Sequence, residues 1–445
     1  MALEALRQLD HGVLALALAL FSAVGASLPW VVLTHVRLRR KGLAQEAELL
    51  RLPLPPDDRL PHVLVQLPTC NDGAVIRCVA EASGNLDWPL GKLHIQILDD
   101  STDGSADIAR EAAASLRGRG IDARLFHRTT RTGFKGAALQ AGLQHSDHEY
   151  VAVFDADFVP RPDWLRQCIR VLLADPGVAF VQSRWAGLNT NENALTRAQQ
   201  YAIDAYTVVH QSARSWSGYF VQFMGSCALW RRTAVDELGG WASDILPEDL
   251  DVSYRALLRG WRGLSLVTVA VPGELPHSRT AWQRQQRRWS NGLAQAMRKY
   301  MPLVWRSSLP IGGKLVASLC LANCVFGPLV GVIVIAGAID LLLAPGAGFA
   351  TWVLAAVAAL EIAFAMTGMI LAQRLIYGTS TSHVLPRAVA GIAVLLCAQL
   401  AGASSFLDLA RGKTTVWTST PKKGSQRTAG SRRLAPSPSG EHPSE

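Results

Sequence analysis

Cysteine is sparse in this chain, and its spacing offers no pairing pattern. Cys70, Cys78, Cys168, Cys227, Cys320, Cys324 and Cys397 make an odd number with no C-x-x-C. That argues against a disulfide framework or a thiolate zinc site and fits a reducing compartment. Charge is almost missing from three long stretches, residues 12–36, 315–343 and 349–373. About 20 apolar residues cross a bilayer, so each stretch can span. The first has no basic segment worth the name before it and is too long for a signal core, so an uncleaved anchor is expected. No internal repeat is visible, and nothing matches a nucleic-acid-binding module. The formal net charge of +9 therefore points elsewhere. Arg411, Lys413, Lys422, Lys423, Arg427, Arg432 and Arg433 cluster after the last apolar residues. Attraction to anionic lipid head groups accounts for this better than nucleic acid does. The run Arg37-Leu-Arg-Arg-Lys41 after the first stretch places residues 37–308 on the cytoplasmic side.

Between residues 60 and 155 short apolar runs alternate with helical patterns. Strands are expected at 62–67, 94–98, 123–127 and 150–154, with helices at 74–82, 104–117 and 135–144. Strand–helix–strand at this spacing means βαβ units in a mainly parallel sheet. Right-handed crossovers put the strand C-termini on one edge, where open α/β sheets bind ligands. Thr69, Asp99, Asp100 and Asp155 should meet there. Long helices are expected at 191–215 and 279–301. From about 412 the chain turns Ser-, Pro-, Gly- and Lys-rich, and past 424 it is expected to be disordered.

Several groups carry candidate chemistry. Asp155-Ala-Asp157 follows the fourth expected strand, and paired carboxylate oxygens suit Mg²⁺ or Mn²⁺ bridged to phosphates. Thr69-Cys-Asn-Asp72 is either a contact to a base or ribose or an ordinary Asx turn. Asp99-Asp100-Ser-Thr-Asp103 can accept from a base N–H or ribose hydroxyls, and Asp103 can equally cap the helix near Gly104. Gly133-Phe-Lys135-Gly136 opens a helix and can hold phosphate, or is a simple turn. Glu248-Asp249 can supply a general base, or is an acidic pair at a helix N-terminus. Gln285, Arg288 and Trp289 share a helical face. Arg there can neutralise a diphosphate, and Trp offers a flat apolar face to a sugar. The plain reading is a basic amphipathic helix on the membrane surface. Glu361 lies mid-span; it is functional, faces a polar lumen, or pairs with Asn323.

Together these residues resemble the membrane β-glycan synthases: family-two glycosyltransferases including cellulose synthase and the cellulose-synthase-like mannan and glucan synthases. The matching pieces are Leu67-Pro-Thr69, Asp99-Asp100-Ser-Thr-Asp103, Lys135, Asp155-Ala-Asp157, Phe223-Met224-Gly225-Ser226, Glu248-Asp249 and Gln285-Gln-Arg-Arg288-Trp289-Ser290. Val181-Gln-Ser-Arg-Trp185 and Gly239-Gly-Trp241 also match, and the resemblance spans roughly residues 60–425. The Q-Q-x-R-W-S-x-G form points to the mannan/glucan branch. The resemblance implies a GT-A-type α/β nucleotide-sugar-binding domain, with a mixed, mainly parallel sheet, set between transmembrane α-helices.

By that resemblance Thr69 and Asp100 hold the nucleotide base, with Asp72 and Asp99 also on the donor side, and Lys135 holds the diphosphate. Asp157 takes the Mg²⁺ or Mn²⁺, with Asp155 beside it toward the ribose. Asp249 is the base, next to Glu248. Gln285 and Arg288 hold the pyrophosphate. Met224, Gly225 and Trp289 meet the acceptor. Trp417-Thr-Ser-Thr420-Pro-Lys422 resembles the family's gating loop, so Lys422 would close on the donor. Asp72 stands where Glu is usual, and Pro247 where a small residue is common, which leaves donor preference open. No domain follows the gating loop, so a cyclic-dinucleotide sensor is not expected.

The implied organisation is an anchor at 1–40, a cytoplasmic transferase domain at 41–308, membrane or interface helices at 309–411, a gating segment at 412–424 and a tail at 425–445. If the gating loop is cytoplasmic, residues 384–408 should be re-entrant or lie in the interface. Splitting 309–344 into two crossings is the alternative, but needs about 40 residues. The expected enzyme is an inverting hexosyltransferase in the plasma or inner membrane, using a UDP-glucose or GDP-mannose type donor. It would extend a β-linked polysaccharide and pass it through the membrane, with partner proteins for export. The alternative is transfer of one sugar to a membrane lipid.

Overall fold

The computed structural model describes residues 2–73, 75–343, 349–411, 422 and 424. Among the described residues seven strands form one sheet: β1 Val63–Thr69, β2 Leu93–Asp99, β3 Asp122–His127, β4 Tyr150–Val153, β5 Val178–Gly187, β6 Ala228–Arg231 and β7 Arg262–Gly273. Their spatial order is β3-β2-β1-β4-β6-β5-β7. The first four run parallel, β6 is antiparallel to both neighbours, and β7 returns parallel to β5. This is a mixed, mainly parallel α/β sheet.

Every residue of β1 is buried. That is the mark of a central strand covered on both faces, and it explains the continuous apolar run rather than an alternating one. One face packs on helices Ile76–Gly84, Ser105–Gly118 and Trp164–Ala174. The other packs on Phe134–Leu143 and Glu248–Leu258. Two polar residues interrupt the central strands, and their side-chain amide nitrogens are both paired. Gln66 Nε2 donates to Gln96 Oε1 (3.1 Å) and Leu139 O (3.0 Å), and Gln96 Nε2 to Gly142 O (2.9 Å). A side chain at Gly142 would collide with Gln96, so glycine sets how closely this helix approaches the sheet.

The expected helix at 191–215 is broken into three. Ala194–Asp204 passes through a wide π-helical turn, Ala205–Gln211, into Ser212–Trp216. Such turns redirect side chains and recur at functional sites. Arg279–Arg306 is one helix carrying Pro302, capped by Ser278, which accepts from Ala281 N.

Among the described residues, three helical stretches are long and apolar enough to cross a membrane: Gln8–Arg51, Ile311–Ile339 and Ala356–Tyr377. The first runs past the expected boundary at residue 40, with a kink near Ala26. Glu46 lies on its last turns and accepts from Val267 N (3.0 Å) and Thr268 N (2.7 Å), which ties the apolar helix to β7. Residues 381–410 form one continuous helix, so the segment has no re-entrant break. Its Val384, Ala388 and Ile392 pack on Tyr201, Ala205 and Met369.

Candidate active site

The parallel strands end on one edge, and the chain after each end is tied to its neighbour. Asp100 N donates to Thr69 O (2.9 Å), and Asn71 N to Ser101 Oγ (2.8 Å). Asn71 adopts a positive φ of 56°, which asparagine tolerates in tight turns. Asp103 accepts from Ser105 N (2.9 Å) at the helix start, but the N-cap position is Gly104 and not Asp103 as the capping alternative expected.

The two carboxylates after β2 part company. Asp100 lines the central cavity, held by Arg128 through Nε (2.7 Å) and Nη2 (2.5 Å). Asp99 is fully buried and does not line it. Its oxygens accept from Ser101 N (3.1 Å) and meet His127 Nδ1 (2.7 Å), so it braces the edge from behind.

Beyond β4 the carboxylates are close to cations. Lys135 Nζ meets Asp155 Oδ1 (2.7 Å), Glu248 Oε1 (3.1 Å) and the carbonyl of Gly225 (2.7 Å). Burial alone would lower this lysine's pKa, but Asp155, Glu248 and Asp249 outweigh it and raise it. Lys422 Nζ lies 3.3 Å from Asp157 Oδ1 and 3.7 Å from Asp72 Oδ1. Burial pushes the Asp157 carboxyl up, with Lys422 opposing. Trp417 and the rest of the expected gating motif lie outside the described residues.

Glu248 and Asp249 open the helix Glu248–Leu258 directly after Pro247. Asp249 Oδ1 accepts from Leu250 N (2.8 Å). Burial and the neighbouring Glu248 push its carboxyl up to about 7, against the pull of Lys135. The N-terminal dipole favours the ionised form, so two opposed influences leave the group poised near neutral pH.

Gly225 supplies the turn that brings these groups together. Its φ is +81°, and a Cβ there would sit 3.1 Å from Asp249 Oδ2 and 3.4 Å from Lys135 Nζ. Gln182 holds this turn in shape. Its Oε1 accepts from Met224 N (2.9 Å), and its Nε2 donates to Ser226 O (2.9 Å). Phe223 N donates to Ser253 Oγ, which donates to Asp249 O. The acceptor-side turn and the acidic helix thus form one bonded unit.

Gln285, Arg288 and Trp289 all line the same cavity, on the helix Arg279–Arg306. Gly292 lets this helix come against Pro247. Burial lowers the Arg288 pKa, while Asp155, Asp157, Glu248 and Asp249 pull it back up. Trp289 stays 42% exposed, tilted toward Trp185 with centroids 6.4 Å apart.

All the expected site residues except Asp99 therefore line one cavity of about 990 Å³. It continues past Tyr206, His210 and Arg214 to Phe21, Phe326 and Glu361 among the apolar helices. Glu361 packs on Gly25, and Asn323 lines the same space. Sequence reasoning missed Arg128 and Glu274, the latter accepting from Gly424 N (3.0 Å), and gave no role to Gln182, which it matched only as part of Val181-Gln-Ser-Arg-Trp185. Arg128 was findable: it follows the end of β3, on the same edge as the other ligand candidates.

A divalent ion fits this donor set in one particular way. Among the described residues no three of these carboxylates bring oxygens within 4.8 Å of one another. Two of them already share the ammonium of Lys422. A hard cation held by one or two carboxylates, with phosphate oxygens completing its shell, suits that arrangement.

Residues 150–374 match the family described as Glycosyl transferase family group 2. Glucomannan 4-beta-mannosyltransferase 2 of Arabidopsis thaliana is 41% identical over 251 residues, covering 56% of this chain and 47% of the relative. Glucomannan 4-beta-mannosyltransferase 1 of Oryza sativa subsp. japonica is 37% identical over 265 residues, covering 57% and 51%. The chain spans about half the length of these relatives. A solved mannosyltransferase from Pyrobaculum calidifontis, in complex with GDP-Man and Mn²⁺, superposes with a TM-score of 0.56 at 22% identity. It covers 86% of this chain and 98% of its own, a likeness of fold.

Proposed function

We infer the activity from the family: the chain belongs to glycosyl transferase family group 2, and we read it as a membrane-bound inverting hexosyltransferase. The substrate is a nucleoside diphosphate sugar, and the acceptor is the end of a β-linked glycan. The mannosyltransferase names of the plant relatives favour a GDP-mannose type donor over UDP-glucose.

Asp249 takes the proton from the acceptor hydroxyl as that oxygen attacks the anomeric carbon from the face opposite the diphosphate. Attack from that side converts an α-linked donor into a β-linked product. Lys135, Arg288 and Gln285 receive the leaving diphosphate, where charge grows as the bond breaks. Thr69, Asp72 and Asp100 hold the nucleoside, with Arg128 fixing Asp100. Trp289, Met224 and Gly225 place the acceptor. Asp157, with Asp155 beside it, would hold Mg²⁺ or Mn²⁺. Bound there, the ion would supply positive charge to the diphosphate oxygens.

The observation that carries this reading is Asp249. It lies on the cavity wall, next to Gly225 and Lys135, with its carboxyl raised to the range a general base needs. The continuity of the cavity with the apolar helices supports a polymer that leaves through the membrane. The basic run Arg37-Leu-Arg-Arg-Lys41 supports a cytoplasmic catalytic side in the plasma or inner membrane. Membranes bearing the protein, given Mg²⁺ or Mn²⁺ and labelled GDP-mannose or UDP-glucose, should make ethanol-insoluble label from one donor. Asp249→Asn should cut it by about 10²-fold or more. Label confined to the solvent-extractable fraction would replace the polymer reading with a glycolipid one.

A further inference from the structure

At the opposite end of the sheet from the chemistry, three histidines come together. His62 precedes β1, His94 is the second residue of β2, and His148 lies two residues before β4. Thr69 is the seventh and last residue of β1, about 20 Å from this end. One ring nitrogen from each histidine lies within 4.8 Å of the other two. His62 Nδ1 is 3.0 Å from His94 Nε2, and His94 Nδ1 is 2.9 Å from Asp122 Oδ2.

In the neutral form of His94 the hydrogen-bond pattern sets the tautomer. The Asp122 carboxylate accepts from His94 Nδ1, so the Nε2 lone pair of His94 faces His62. This is the carboxylate–histidine arrangement that orients metal-ligating imidazoles. The gap between the two nitrogens now holds a proton. An ion with bonds of about 2.0–2.1 Å to nitrogen spans such a gap with little movement. His148 stacks on His94, with centroids 3.7 Å apart and planes 12° apart. One of its ring nitrogens lies within 4.8 Å of those of His62 and His94, so turning the ring out of the stack is the movement that ligation requires. Asp122, Asp147 and Glu149 surround the cluster, with Arg124 the near cation, and this suits a positive ion.

We propose that His62, His94 and His148 form a second metal site, for a divalent transition ion of the Zn²⁺ class, which clips together the entries of β1, β2 and β4. Three imidazoles select such an ion over Mg²⁺, whereas the carboxylates of the cavity select the hard one. The two sites are therefore separable by chemistry as well as by distance.

The test titrates ZnCl₂ into the purified full-length protein in detergent, with excess Mg²⁺ present. One zinc should bind per chain and raise the melting temperature. His94→Gln and His148→Gln should each weaken it by about ten-fold or more, and Asp157→Asn should leave it unchanged. Co²⁺ should give tetrahedral visible absorption that His148→Gln removes. His148 is outside β4, so its variant should keep the metal-free melting temperature, and it decides the matter if His94→Gln does not fold. Equal zinc affinity in the parent and His148→Gln, or loss of zinc binding in Asp157→Asn, would overturn the proposal. Neither result touches the transferase reading, which is scored by sugar transfer.

Discussion

At Asp249, burial and Glu248 raise the carboxyl pKa while Lys135 lowers it, and the balance falls at about 7. A general base works ionised, so kcat/KM should climb as pH rises to about 7 and level above it. The stability contribution has the opposite sign. An acid whose pKa is raised by folding costs nothing below its unfolded value, and the cost is complete above the folded one. Asp249→Asn should therefore remove part of the melting-temperature decline between pH 4 and pH 8. It should also slow transfer by about 10²- to 10⁴-fold with little change in donor binding by calorimetry. Gly225→Ala tests the neighbouring turn. A non-glycine residue at φ +81° costs about 1–3 kcal/mol, and its methyl would press on Asp249 and Lys135. A lower melting temperature together with a large fall in kcat is expected. If the rate held, the tight approach of these groups would be irrelevant to chemistry.

Among the elements, the first four strands and their helices were legible, because apolar runs separated by helical patterns follow βαβ spacing. Residues 279–301 were also legible, since Trp, Met, Arg and Gln fall on helical faces. The second half of the sheet was not. β6 has four residues, too few to show a period, and its antiparallel place between β4 and β5 depends on pairings distant in sequence. β7 alternates visibly in Val267-Thr-Val269-Ala-Val271, but nothing local names β5 as its partner. Most site residues were readable because carboxylates after strands share an edge. Asp99 misled because two adjacent carboxylates point opposite ways, and only one can face the cavity. Gln182 was hidden because its work is done on backbone groups more than 40 residues away. Gln182→Ala leaves Met224 N–H short of a partner, and Ser226 C=O with only Trp185 Nε1 (3.3 Å). It should cost about 1–3 kcal/mol in thermal melts and slow transfer, because the Gly225 turn loses its brace.

On the scale of the whole molecule, one cavity joins the carboxylates to the apolar helices, and Glu46 bolts the first of those helices to β7. The protein should stay in the membrane pellet through alkaline carbonate and leave it only with detergent. Release by carbonate would exclude spanning helices. The chain also returns to the cavity after its last helix. Lys422 comes only 11 residues after Arg411, yet its ammonium lies between Asp157 and Asp72. A group tethered in that way acts at a local concentration of about millimolar, however dilute the protein. A divalent cation that binds at Asp157 would compete with this ammonium for the carboxylate. Mn²⁺ should bind the Lys422→Ala protein more tightly than the parent in a titration without substrate, so the metal requirement of the intact chain measures the strength of its own tail.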